Sequence, residues 1–137
     1  MIKKTLLVYF LYLITVFPQL LAPKVGIQQL QHDFGNINQG DVVTHTLVIS
    51  NNGGDLLKIL DVKASCGCTA ANPDKKELKP GESTNIVVSF NSKGRKGPQT
   101  KTVTVTTNDP EKETVSLTVK GNVVVSEVKD NRLGAKI

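Results

Sequence analysis

The chain has 137 residues, 39% of them hydrophobic, with two cysteines, no tryptophan and a formal charge of +5. Without Lys3 and Lys4, fifteen basic residues face twelve acidic ones, a mild excess that keeps a surface soluble and implies no nucleic-acid partner. Tyr9, Phe10, Tyr12 and Phe17 all precede residue 23, so the rest keeps only Phe34 and Phe90, too few aromatic rings for a surface that stacks bases or sugars.

Residues 1–22 have the layout of an export leader. Lys3 and Lys4 are followed by an uncharged, mostly apolar run from Thr5 to Phe17, then Pro18 and the small-residue end at Ala22. Cleavage after Ala22 meets one obstacle, because Pro23 follows with a fixed φ and no N–H. Retention as an N-terminal anchor is the alternative, since Thr5–Ala22 approaches the length of a thin bilayer crossing. Either way the remainder is expected outside the cytoplasm, periplasmic, secreted or at the cell surface, in an oxidising space. Membrane contact would come only through a retained leader.

Residues 23–125 are one domain's worth of chain and read as strands and turns. "IQQLQHDF" places Leu30, His32 and Phe34 on one face, and "GNINQG" reads as a loop. "DVVTHTLVISN" alternates, with Val43, His45, Leu47 and Ile49 together. "NNGGD" is a turn signal. In "LLKILDVKAS" the parity of Leu57 and Ile59 differs from that of Leu60, Val62 and Ala64, which predicts a bulge or bend near Leu60.

"NPDKKELKPGES" reads as a polar connection ending in a Pro80-Gly81 turn. "TNIVVSF" turns Ile86, Val88 and Phe90 inward. "NSKGRKGPQ" is a basic, glycine-rich loop, and "TKTVTVTTN" alternates Val103 and Val105 with threonine. "NDPEKE" turns the chain. "TVSLTVKGNVVV" aligns Val115, Leu117 and Val119, with Gly121 as a bend or strand end. Residues 126–137 form a polar tail. About seven short strands with no helical periodicity predict an all-β, Ig-like antiparallel β-sandwich. The Cys…Trp…Cys pattern of antibody domains is absent.

From Phe34 to Val123 the chain resembles a bacterial family of exported single Ig-like domains of unknown function, distantly similar to Hydin-type and major-sperm-protein-type sandwiches. The resemblance is carried by Phe34-Gly35, Gly40, Asn51 with Gly53, Ser65-Cys66-Gly67-Cys68-Thr69, Pro80-Gly81, Phe90, Gly94 with Gly97, and Thr107-Asn108-Asp109-Pro110. It implies the fold and export. It implies no activity, and it points to a binding module only by analogy.

The two cysteines flank a single glycine. If strand pairing continues through Ala64, Cys66 and Cys68 share a face at a strand end around Gly67. Four readings fit that placement. The pair could pack as small hydrophobes, with Gly67 easing a turn. It could close a Cys66–Cys68 disulfide, static or redox-active. It could bind a soft metal ion, Cu(I) or Zn(II), with His32 and His45 as the only further imidazoles. Or one sulfur could pair with a partner protein's cysteine.

Lys93, Arg95 and Lys96, with Lys101 nearby, could contact a phosphate, sulfate or acidic glycan, against the plainer reading of a solvated hairpin loop. Asn108 and Asp109 could touch a cation, but Asn-Asp-Pro is a turn starter. No catalytic constellation, and so no enzyme activity or cofactor, is read from the chain. The sequence predicts a non-catalytic interaction module of the cell envelope, whose partner is an envelope protein or surface component, with a thiol-based role at Cys66-Gly67-Cys68 as the alternative.

Overall fold

The computed structural model describes residues 21–126. The leader up to residue 20 and the tail from 127 lie outside the described residues. Nine strands follow in order: β1 (Val25–Ile27), β2 (Gln31–Asn38), β3 (Val42–Asn51), β4 (Leu57–Ala64), β5 (Thr69–Pro73), β6 (Glu77–Leu78), β7 (Ser83–Asn91), β8 (Gly97–Thr107) and β9 (Thr114–Val124). Sheet I has the order β1-β3-β7-β5 and sheet II the order β2-β9-β8-β4-β6. The fold is an all-β sandwich of Ig-like type.

Alternation along each strand decides which side chains meet between the sheets. Leu47 and Ile49 on β3, and Ile86 and Val88 on β7, supply the inner face of sheet I. Leu57 and Ile59 on β4, Val103 and Val105 on β8, and Val115, Leu117 and Val119 on β9 supply that of sheet II. All are buried. Each such side chain is worth about 1.5–3 kcal/mol over its exposed state, so these positions dominate the energetics of the domain. Ile37, Phe90 and Val123 form a second, smaller cluster with Phe34, Val43 and Cys68 against it.

The strand pattern departs from expectation in four places. β2 runs on through "GNIN" to Asn38 and pairs parallel with β9, so the sandwich is not wholly antiparallel. A bulge between Asp33 and Asn36 lets the strand continue. Gly35 takes a positive φ of 67° there, and its N–H is accepted by the Asp33 carboxylate at 2.8 Å. Gly121 does not end β9. It makes room for Ile37, whose Cδ1 lies 2.6 Å from where a Cβ at 121 would stand.

The polar connection hides two short strands, β5 and β6, and Leu78 of β6 is fully buried. The predicted bulge does fall at Leu60: Ile59 pairs with Thr107 and Asp61 with Thr106. It keeps Ile59 and Val62 both packed on the core and turns Leu60 itself outward, 58% exposed.

Polar side chains knit one end of the sandwich. Buried Asn51 donates from Nδ2 to the carbonyls of Asp55 and Leu78, at 2.6 and 2.9 Å, and accepts the Gly53 N–H at 3.0 Å. Asn108 accepts the Lys58 N–H at 2.7 Å and donates to the Leu56 carbonyl at 3.0 Å. Buried Asp109 accepts the N–H of Val25 at 2.8 Å, of Glu111 at 2.8 Å and of Lys112 at 3.2 Å. The Asn-Asp-Pro turn thus fastens β1 and β4 to the β8–β9 hairpin.

Burial opposes ionisation of Asp109, but the three backbone donors and the Lys24 ammonium outweigh it and hold the carboxyl below its ordinary value. Asp109→Ala strands those donors and is expected to cost about 2–3 kcal/mol in urea unfolding. The unfolded chain takes up a proton on this carboxyl before the folded one does. Its contribution to wild-type stability is therefore full above pH 3.8 and is lost as the pH falls through the lower folded value, a loss that Asp109→Ala should not show.

Candidate functional site

Three turns meet at the end of the sandwich opposite Asp109. They are the β2–β3 turn, the β4–β5 turn that carries the cysteines, and the basic β7–β8 turn. Buried Ser92 ties the first to the third. Its hydroxyl accepts the Gly40 N–H at 3.0 Å and lies 2.9 and 2.8 Å from the carbonyls of Asn38 and Asp41. Gln39 adds a bond from Nε2 to the Arg95 carbonyl at 2.7 Å. Asn91 ties the second turn in, its N–H donating to the Cys68 carbonyl at 2.9 Å.

β4 ends at Ala64 and β5 begins at Thr69, so Ser65–Cys68 is the crossover from sheet II to sheet I. Ser65 anchors the crossover to β8 twice: its N–H donates to the Thr102 carbonyl at 2.8 Å, and its Oγ accepts the Thr102 N–H at 3.0 Å. The Thr69 N–H donates to the Cys66 carbonyl at 3.2 Å. Cys66 and Cys68 are joined by a disulfide. Cys68 packs toward the cluster of Ile37, Phe90 and Val123. The hydroxyl of buried Thr69 lies 3.7 Å from the Cys66 sulfur and 3.8 Å from that of Cys68. Thr69 carries no signal in the sequence beyond its place at the end of the Ser65–Thr69 block.

Gly67 differs from the sequence-based expectation that it eases a bend. Its φ is not in the left-handed region, and a Cβ added there would meet nothing within 4 Å. With the disulfide closed, neither sulfur is a thiolate, so a soft-metal site would need the reduced pair. Among the described residues no group of three His, Cys, Asp or Glu side chains is placed to hold a metal ion.

The histidines meet each other instead. His32 on β2 and His45 on β3 stack with ring centroids 3.7 Å apart and planes 13° from parallel, and Phe34 abuts His32 edge-on at 4.7 Å. They bridge the two sheets where β1 leaves off: β1 covers β3 only at Ile49–Asn51. Lys93 and Lys96 are exposed and Arg95 is half-buried. None of the three joins an ion pair with a described carboxylate.

The edges of the sheets form the other feature of interest. β6 pairs with β4 only at Leu57 and Lys58, so β4 from Leu60 to Ala64 has a neighbour, β8, on one side alone. β5 is the edge of sheet I. Between these two edges lies a cleft of about 140 Å³, lined by Ile59, Leu60, Val62, Ala71, Pro73 and Lys76 among others.

The family model of DUF1573, described as a protein of unknown function, matches residues 25–123, from the first strand to the end of the last. This chain belongs to the DUF1573 family. No curated protein matches it in sequence. Its fold is similar to that of a protein of unknown function from Porphyromonas gingivalis W83, at 21% identity and a TM-score of 0.68 over 77% of this chain and 49% of that one. It is also similar to the PapD-like domain 7 of human CEP192, at 14% identity and a TM-score of 0.65, covering 77% of this chain and 89% of that one.

The VesB protease of Vibrio cholerae is similar at 13% identity and a TM-score of 0.60, over 84% of this chain and 35% of the protease. Likeness at such identities shows the fold alone. The DUF1573 chain spans about half the length of the Porphyromonas protein.

The His45 imidazolium is disfavoured by burial first and by the charge of His32 second, and both lower its pKa from 6.5. The unfolded chain therefore binds that proton more readily than the folded one. The contribution of His45 to stability is full above about pH 6.5 and declines as the pH falls through the lower folded value. A thermal-melt series from pH 8 to pH 5 should show the decline, and His45→Gln should flatten it.

Proposed function

We propose that this DUF1573 protein is an exported, non-catalytic interaction module of the cell envelope that binds an extended segment of a partner protein by pairing along β4. The observation that carries the reading is the open edge of β4. The Ser65 N–H points at β8, so by strand alternation the backbone groups of Val62 and Ala64 point the other way, toward the cleft. Leu60 stands exposed beside them. A large apolar side chain next to unpaired strand backbone is what an added strand covers, and an uncovered one invites aggregation. Pro73, on the facing edge of β5, has no N–H to offer an added strand at that position.

Export rests on the basic, then apolar, layout of residues 1–22, with cleavage after Ala22 or retention as an anchor. A disulfide between the chain's two cysteines fits an oxidising compartment.

A photo-crosslinker at exposed Lys63 should capture a partner in envelope preparations, and Leu60→Asp should abolish the adduct while leaving the melting curve unchanged. Losing one buried leucine corresponds to about 1.5–3 kcal/mol, a ten- to hundredfold weaker complex. Equal capture from exposed Asp33, on β2 at the opposite edge of sheet II, would sink the reading.

A further inference from the structure

We propose that Cys66–Cys68 is a thiol–disulfide exchange site that accepts two electrons from a dithiol. The inference goes beyond the interaction module and stands whether or not the β4 edge carries a partner.

Three observations converge on the bond. The first is access. Gly67 is exposed, and neither its φ nor its surroundings require a glycine. What the missing side chain does is leave the tip of the crossover uncovered beside the two sulfurs. The second is redundancy. A cross-link spanning one residue removes little freedom from the unfolded chain, because the entropy gained grows with the length of the closed loop. The crossover is already held by both Ser65–Thr102 bonds, by Thr69 to Cys66 and by Asn91 to Cys68. The bond can open while the turn stays in place.

The third is polarity. Cys68 lies toward Ile37, Phe90 and Val123, whereas Cys66 is not among the residues of that cluster. The Thr69 hydroxyl touches both sulfurs and has a proton to donate. The basic turn of Lys93, Arg95 and Lys96 stands at the same end of the sandwich and attracts an incoming thiolate.

The exchange follows from that placement. A thiolate of the dithiol attacks the Cys66 sulfur. A sulfur–sulfur bond forms to Cys66 as the Cys66–Cys68 bond breaks, and the electron pair leaves on Cys68, where the Thr69 hydroxyl donates to it before it takes a proton from water. The second thiolate of the dithiol then attacks its own sulfur in the mixed disulfide and expels Cys66, which is protonated in turn. The dithiol ends as a disulfide and the cysteine pair as two thiols.

The test uses the oxidised protein and dithiothreitol at neutral pH, followed by alkylation and intact mass. Two alkyl groups should appear at a rate proportional to dithiothreitol concentration, with far-ultraviolet and near-ultraviolet circular dichroism unchanged. Thr69→Val should slow the reaction about ten- to hundredfold, the factor matching one hydrogen bond to a charged group, and Thr69→Ser should restore it. Gly67→Leu, whose side chain has open space to occupy, should also slow it.

A rate that is independent of dithiothreitol and equal to the rate of global unfolding would overturn the proposal and leave a structural cross-link. So would equal rates in Thr69→Val and Thr69→Ser. No partner protein enters the assay, so its failure and the failure of the β4 edge to bind are separate results.

Discussion

The chain changes sheets seven times among its described strands, and the exposed features depend most on two of those crossings, between Ile27 and Gln31 and between Ala64 and Thr69. A strand can bury only one face, so each crossing lets neighbouring stretches of chain face each other across the core. A crossing also ends a strand's claim on its neighbours in the sheet it leaves. β3 therefore lacks cover before Ile49, and β4 has none past Ile59 on the side away from β8. The stabilising core and the unpaired edges share one topological cause.

Each crossing is closed differently. At the first, His32 and His45 stack across the sheets with Phe34 against them. This contact is strongest when the rings are neutral, since two imidazolium charges at that distance repel in a partly desolvated place. At the second, a covalent bond and four backbone-directed hydrogen bonds hold the same short turn. The unequal fastening gives the two seams different chemistry. One holds a titratable imidazole, and the other a bond between two sulfurs.

The polar staples explain how so small a sandwich keeps its ends closed. Asn51, Ser92, Asn108 and Asp109 each satisfy two or more backbone groups that loops would otherwise leave open. Asn51, Ser92 and Asp109 do so buried and Asn108 at the surface, whereas Lys24–Glu111, Lys58–Glu77 and Lys63–Asp61 are exposed ion pairs of little energetic weight. The rigid ends frame the β4 edge and the disulfide.

The inner faces of β3, β7, β8 and β9 were legible because period-two alternation is local: Leu47, Ile86, Val103 and Leu117 announce themselves by spacing. So was the bulge, from the parity break at Leu60. "GNIN" reads as a loop because glycine and asparagine favour turns. Only the pairing with β9 makes it strand, with Ile37 filling the space that Gly121 leaves. β5 and β6 were hidden for the same reason, since small and polar residues become strand once a neighbour supplies the hydrogen bonds. The sequence by itself determined the fold class, the inner-face positions of β3, β7, β8 and β9 named above, and the adjacency of two thiols around a glycine. Which edges stay open, that the two histidines stack, and that Thr69 reaches both sulfurs were decided by the tertiary structure. These depend on contacts between residues far apart in the chain, or on a turn whose shape those contacts impose.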